Sequence, residues 1–213
     1  MMKKLFPLIL AALMMAASFP ATAEEAAAEP LYVYSADNAA ETWQSFTGNW
    51  SYTEDGISCE NDGNDVWYFA FVGVDEGWTD YVIEMDMEWC MEGGILFRVT
   101  DPAPGIDTFG GYYVGYDSSW AFFGMDNDDS WMTVTEASPD APSAAATPYA
   151  DEMHWKVVVK GDMATLYIDD METPYISMKD STYTAGGIGI RVKAIAGDDP
   201  CYFKNLTVYP IPD

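Results

Sequence analysis

The sequence predicts an all-β domain: two antiparallel sheets packed as a sandwich or jelly roll. Three observations carry this. Short runs alternate apolar and polar residues, the period of a strand with one buried and one wet face. Turn dipeptides punctuate the runs: Asp55-Gly56, Gly93-Gly94, Gly161-Asp162 and Gly186-Gly187. Hydrophobic residues make up 49% of the 213, enough for a substantial core. No amphipathic helix is evident after residue 23.

Residues 1–23 read as a signal peptide. Lys3 and Lys4 form a positive start, Leu5 to Ala17 is an apolar run, and Ala21-Thr22-Ala23 is a small-x-small cleavage site. The run is too short to span a bilayer. Residues 24–30 are an Ala/Glu spacer, and residues 31–213 form one domain. Within it Tyr81, Ile83, Met85, Met87 and Trp89 alternate with Val82, Glu84, Asp86, Glu88 and Cys90. Further strands centre on Ile95 to Val99, Trp155 to Val159, Leu166 to Asp169 and Ile188 to Lys193, about ten in all at this spacing. Residues 137–150, with three prolines and six alanines, read as a long surface loop.

The charge bounds the partners. Thirty-five acidic residues against nine basic ones give −26. Such a polyanion repels phosphate backbones and anionic membranes, which leaves neutral ligands, cations and basic proteins. Nucleic acid is excluded as a partner, and no apolar stretch after the signal peptide could insert into a membrane. The leader implies a secreted or extracytoplasmic protein, and its Met-Lys-Lys start has a bacterial character. Cys59, Cys90 and Cys201 fit an oxidising compartment that permits one disulfide and leaves one thiol. One histidine, His154, and no Cys-x-x-Cys argue against a Cys/His zinc site.

Several segments then carry a family resemblance. Phe46 to Ile57 opens the domain, and Asp80-Tyr-Val-Ile-Glu-Met-Asp86 leads to Gly94-Ile-Leu-Phe-Arg-Val99. Gly111-Tyr-Tyr-Val-Gly-Tyr-Asp117, Trp155 to Gly161, Leu166 to Asp169, Gly187-Ile-Gly-Ile-Arg-Val192 and Tyr202 to Val208 follow. Order and spacing over residues 31–210 resemble the concanavalin A-like lectin/glucanase jelly roll. The nearest branches are laminin-G-like domains, family 66 carbohydrate-binding modules and the 3-keto-disaccharide hydrolase domain. The resemblance implies sugar recognition on the concave sheet or its rim loops. It does not choose between binder and enzyme, because this fold hosts both.

The scarce arginines are candidate ligands. Arg98 and Arg191 are expected on wet strand faces, and Arg191 lies beside Gly189, which leaves space around the guanidinium. An Arg fork holds two sugar hydroxyls. Tyr113 and Trp120 supply rings for stacking, as do Tyr112, Tyr116 and Tyr167, and Asp117 adds a carboxylate. Pairing of the arginines with Glu84 or Asp117 stays open as the structural alternative. Glu84-Met-Asp-Met-Glu88 is similar to the catalytic E-x-D-x-E strand of family 16 glycoside hydrolases. Residues i, i+2 and i+4 of a strand share a face, so Glu84, Asp86 and Glu88 would line up as nucleophile, tuning residue and acid. The alternative is a solvated acidic face. Calcium is a further expectation, at Asp62 to Asp65, Asp126 to Asp129 or Asp198-Asp199. No other cofactor is expected.

The resemblance also implies a disulfide. In laminin-G-like jelly rolls the strand from Tyr81 and the last strand are neighbours, and pairing Tyr81 with Pro210 sets Cys90 opposite Cys201. Cys90 would share the wet face with Glu88, and Cys201 with Asn205. Cys59 would remain a thiol. The resulting reading is a secreted carbohydrate-binding domain for an oligo- or polysaccharide, without a catalytic step. The alternatives are a glycoside hydrolase acting through Glu84 and Glu88, a 3-keto-disaccharide hydrolase-like enzyme, and an extracellular protein–protein adhesion module.

Overall fold

The computed structural model describes residues 28–64, 66–88, 90, 92–105, 108–117, 120–127, 131–133, 151–193 and 200–212, with 116–117, 120–127 and 131–133 described as backbone. The first sheet runs, in spatial order, β13 (Ile176–Lys179), β12 (Met163–Ile168), β11 (Glu152–Lys160), β6 (Tyr81–Glu88), β15 (Tyr202–Pro210), β4 (Gly56–Cys59) and β3 (Trp50–Thr53), with β1 (Tyr32–Val33) added to β15. The second runs β10 (Trp131–Thr133), β9 (Trp120–Asn127), β8 (Gly110–Asp117), β7 (Glu92–Thr100), β14 (Gly187–Lys193), β5 (Trp67–Val72) and β2 (Gln44–Ser45). Every pair of neighbours is antiparallel.

Strand alternation builds the core between the sheets. Tyr81, Ile83, Met85 and Met87 of β6 and Trp155, Val157 and Val159 of β11 are wholly buried against Ile95 and Phe97 of β7 and Ile188 and Ile190 of β14. Each such aliphatic or aromatic side chain contributes roughly 1.5–3 kcal/mol on leaving water. The sequence shows no helix, yet α1 (Ala36–Thr42) forms. Two turns are too few to display a helical period. Tertiary contacts hold it: Ala39 is buried, and Trp43 donates its indole N–H to the Tyr32 hydroxyl at 2.8 Å.

Two bulges break the alternation. Arg98 (φ 51°) interrupts β7, so that Phe97 faces the inter-sheet core while both Leu96 and Val99 face outward. Asn205 (φ 53°) interrupts β15, so that both Phe203 and Leu206 face the core. The register starts at Tyr81↔Pro210 and keeps that phase to Glu84↔Thr207. It then slips by one to Asp86↔Lys204.

Cys90 and Cys201 form a disulfide with Cα atoms 4.5 Å apart. Both lie in the core and not on the wet face the alternation assigned them. β6 ends at Glu88, which frees Cys90 from its phase, and the Asn205 bulge puts Cys201 in phase with buried Phe203. Cys59 is free and buried, and burial pushes its thiol up to about 12.

Candidate functional site on the second sheet

The outer face of the second sheet carries an uncommon mixture of rings and cations. Period two places Gly189, Arg191 and Lys193 of β14 on this face, because Ile188, Ile190 and Val192 fill the core. On β5 the same rule exposes Trp67, Phe69 and Phe71 outward. The register sets Lys193 opposite Trp67 and Arg191 opposite Phe69, with Gly94 of β7 on the other side of Arg191. Gly94 in turn faces Gly115 of β8, and Leu96 faces Tyr113.

Two adjacent glycines leave a side-chain-free strip beside Arg191, and rings fill it. The Arg191 guanidinium carbon lies 3.6 Å from the Trp67 ring centroid, 4.8 Å from Tyr113 and 5.7 Å from Phe69. A cation over a ring face gains from the ring quadrupole, more so when water is excluded, and Arg191 is only 5% exposed. Tyr113 lies across Gly115: a Cβ there would meet its hydroxyl at 2.0 Å. Lys193 Nζ stands 3.1 Å from Glu92 Oε2 and 5.9 Å from the Trp67 centroid. Trp67 and Lys193 are the half-exposed members, so solvent reaches the cluster over them. Towards β2 the face closes. Phe69 and Phe71 stack 6.3 Å apart, and Phe109 caps both at 5.6 and 5.7 Å. The gap left among them, Phe46 and Thr108 is too tight for water.

Of the residues expected to bind sugar, Arg191 and Tyr113 meet on this face. Asp117 and Trp120 occupy adjoining register positions, Asp117 opposite both Glu92 and Trp120. Arg98 does not join them. It is 3% exposed, and its left-handed backbone turns the side chain away from the wet face that strict alternation assigned it. Its guanidinium donates to the carbonyls of Gly161 (2.7 Å), Tyr183 (3.0 Å) and Thr79 (3.1 Å), with Asp80 Oδ1 at 3.5 Å. It is a clamp between loops. Tyr112 belongs to the core: its hydroxyl donates to Asp180 at 2.6 Å, and burial pushes the phenol up to about 12. Tyr167 lies on the first sheet, with Lys156 Nζ 4.3 Å over its ring. The Tyr116 side chain lies outside the described residues.

The acidic triplet is on the other sheet. Glu84, Asp86 and Glu88 share the outer face of β6, as their spacing requires, and cross-strand partners engage them. Asp86 Oδ1 is 2.6 Å from Nδ1 of His154, and Asp86 Oδ2 accepts from the Asn205 amide at 2.6 Å. Glu88 accepts from Lys204. Glu84 stands in register between Lys156 and Thr207. The triplet and the Arg191 cluster therefore face opposite sides of the sandwich and share no groove.

Among the described residues no group of three or more His, Cys, Asp or Glu side chains is placed to hold a metal ion. Asp62 instead closes a turn, accepting from Asn64 and from the Tyr68 hydroxyl. The other calcium candidates, Asp65, Asp128, Asp129, Asp198 and Asp199, lie outside the described residues, as does the Asp126 side chain. Sequence reasoning missed Trp67, Lys193 and Glu92. One signal was available: β5 reads Trp-Tyr-Phe-Ala-Phe-Val, apolar on both faces, which marks a strand whose outer side is also covered.

No family model matches the chain, and comparison with curated proteins gives no match. Solved structures do match. One is the carbohydrate-binding module CBM66 from Bacillus subtilis, with TM-score 0.61 and 21% identity over 79% of this chain and 95% of that one. A second is a protein of unknown function with a galectin-like fold from Bacillus subtilis, with TM-score 0.64 and 12% identity over 88% and 97%. A third is the Ca2+-bound form of the VIP36 exoplasmic/lumenal domain, with TM-score 0.59 and 11% identity over 81% and 84%. The fold is the concanavalin A-like jelly roll, as the sequence resemblance implied.

Proposed function

We propose that this chain is an exported carbohydrate-binding module, with residues 31–213 as its single domain and no catalytic step of its own. The glycan is received over Trp67, Lys193 and Arg191 on the outer face of the second sheet. The observation that supports this most is the stacking of Arg191 on Trp67 and Tyr113, with Lys193 beside them at the solvent edge. A sugar ring has an apolar C–H face and an equatorial rim of hydroxyls. An indole accepts the first, while an ammonium paired with a carboxylate supplies a donor and acceptors for the second. Asp117 and Trp120 adjoin this edge in register.

The chemistry of the chain narrows the ligand. At −26 it disfavours polyanionic glycans and nucleic acids, so the glycan is neutral. Among the described residues no helix is long and apolar enough to cross a membrane. The engaged carboxylates of β6 support a binder without hydrolysis. A retaining glycosidase needs two carboxyl groups about 5–5.5 Å apart with one kept protonated, whereas Asp86 and Glu88 are held by His154, Asn205 and Lys204.

An array of neutral and acidic glycans, probed with the wild-type chain and with Trp67→Ala, tests this, alongside a panel of chromogenic glycosides. At least one neutral glycan should bind the wild type and lose its signal with the variant, and no glycoside should be cleaved. Retention of equal signal by Trp67→Ala, or turnover abolished by Glu84→Gln, would overturn it.

A further inference from the structure

On the far side of the sandwich, the first sheet carries a cleft of about 400 Å³. We infer that it is a second, independent ligand site, for a neutral hydroxylated ring of sugar size. Three segments wall it: Tyr34 and Ser35 ahead of α1, the β3–β4 turn with Glu54 and Asp55, and Lys204 and Asn205 at the β15 bulge. None of these residues belongs to the Trp67 cluster, so this inference stands apart from the function proposed above. The volume lies at the small end of the roughly 300–1,000 Å³ usual for ligand sites, which suits about one or two hexose rings.

The walls are pre-set. The Tyr34 hydroxyl donates to the carbonyl of Thr53 at 2.9 Å and lies 3.2 Å from that of Gly56, which pins both ends of the turn. Gly56 presses on the last strand: a Cβ there would stand 2.5 Å from the Phe203 carbonyl oxygen and 3.0 Å from Lys204 Cγ. The turn and the bulge therefore hold a fixed separation. On the opposite wall Asn205 is held in the left-handed region, and its amide donates to Asp86 Oδ2. The other Asp86 oxygen engages His154, the single histidine of the chain. Non-glycine residues persist in this region where their neighbours over-determine the backbone.

The lining selects the class. Carboxylates of Glu54 and Asp55 accept from vicinal hydroxyls, while Ser35, Asn205 and Lys204 supply polar groups on the other walls. Among the described residues Tyr34 gives the one ring. An apolar ligand finds little apolar wall there, and an anion meets two carboxylates in a chain of net charge −26. A ring bearing several neutral hydroxyls matches an acceptor-rich, rigid cleft and loses little freedom on entering it.

Amide chemical-shift mapping of the full chain tests this, with D-glucose, D-galactose, D-mannose and D-fructose titrated separately. At least one should shift Ser35, Asp55, Gly56 and Asn205 saturably, in the wild type and equally in Trp67→Ala. The exposed double variant Glu54→Gln/Asp55→Ser should weaken that response about tenfold while leaving the Trp67 face unchanged. Asp86→Asn, which keeps the Asn205 contact possible, should weaken it less than Asp86→Ala. If none of the four sugars shifts these amides saturably, or the double variant responds as the wild type does, the cleft is not a sugar site. Loss of the Trp67 response alone would bear on the proposed function and not on the cleft.

Discussion

Arg98 is a structural arginine, and its removal is predicted to destabilise the fold. Its guanidinium joins three loops: Thr79 before β6, Gly161 between β11 and β12, and Tyr183 between β13 and β14. Arg98→Ala removes a donor from three carbonyls at a site 3% exposed. Each hydrogen bond contributes about 1 kcal/mol net, and a stranded acceptor costs about 1–3 kcal/mol more unless water enters. Asp80, at 3.5 Å, also loses its cation, but it is 35% exposed and adds little. The total is about 3–5 kcal/mol. The backbone adds a signature. At φ 51° an alanine is strained by about 1–2 kcal/mol where a glycine is not, so Arg98→Gly should be more stable than Arg98→Ala, the reverse of the order in ordinary strands. Urea unfolding of the three proteins, compared at constant m-value, measures this. A loss under about 1 kcal/mol, or alanine more stable than glycine, would refute the clamp.

Other consequences follow from burial and backbone. Native protein should label with no thiol reagent at neutral pH, and denatured unreduced protein with one equivalent, at Cys59; a Cys59-containing disulfide peptide would contradict this. Replacing Cys90 and Cys201 by alanine opens a link spanning 111 residues and should cost about 4–5 kcal/mol in the chain-entropy model, read from denaturant midpoints. Gly56→Ala combines φ 119° with a 2.5 Å approach to the Phe203 carbonyl and should cost about 2–3 kcal/mol; a neutral change would show that the turn can move. Burial pushes the Asp180 carboxyl up, but the Tyr112 hydroxyl and the Thr182 N–H outweigh it and leave the carboxyl below its ordinary value. A depressed carboxyl stabilises above its unfolded value near 4 and loses that contribution as pH falls through the folded one. Melting temperature should thus drop below about pH 4, with a shallower acid limb in Asp180→Asn; identical limbs would refute the assignment.

What was legible in the sequence was periodic. Tyr81 to Glu88 alternates strictly, and the structure buries Tyr81, Ile83, Met85 and Met87 while leaving Val82, Glu84, Asp86 and Glu88 half-exposed. The pairing of Tyr81 with Pro210 also holds, because both ends of that ladder lie before the bulge. Periodicity cannot announce its own interruptions. Arg98 and Asn205 look like ordinary strand residues in the chain, and only their left-handed backbones shift the faces that follow. That one effect moved Arg98 off the wet face and Cys201 into the core. The candidate site was half legible for a related reason. Arg191 lies on a strand that alternates clearly, and Tyr113 and Asp117 lie in a segment that carries the resemblance, whereas Trp67 joins them only through the β5–β14 register, a contact across more than a hundred residues of chain.

Calorimetric titration of the most strongly bound neutral glycan into wild type, Trp67→Ala and the Glu84→Gln/Glu88→Gln double variant reports on the central claim most directly. Loss of an indole platform should weaken binding about tenfold in Trp67→Ala, a change of ~1.4 kcal/mol. The double variant, altered on the opposite sheet, should bind that glycan with wild-type affinity. Wild-type affinity in Trp67→Ala together with lost binding in the double variant would place the glycan on the first sheet and contradict the account.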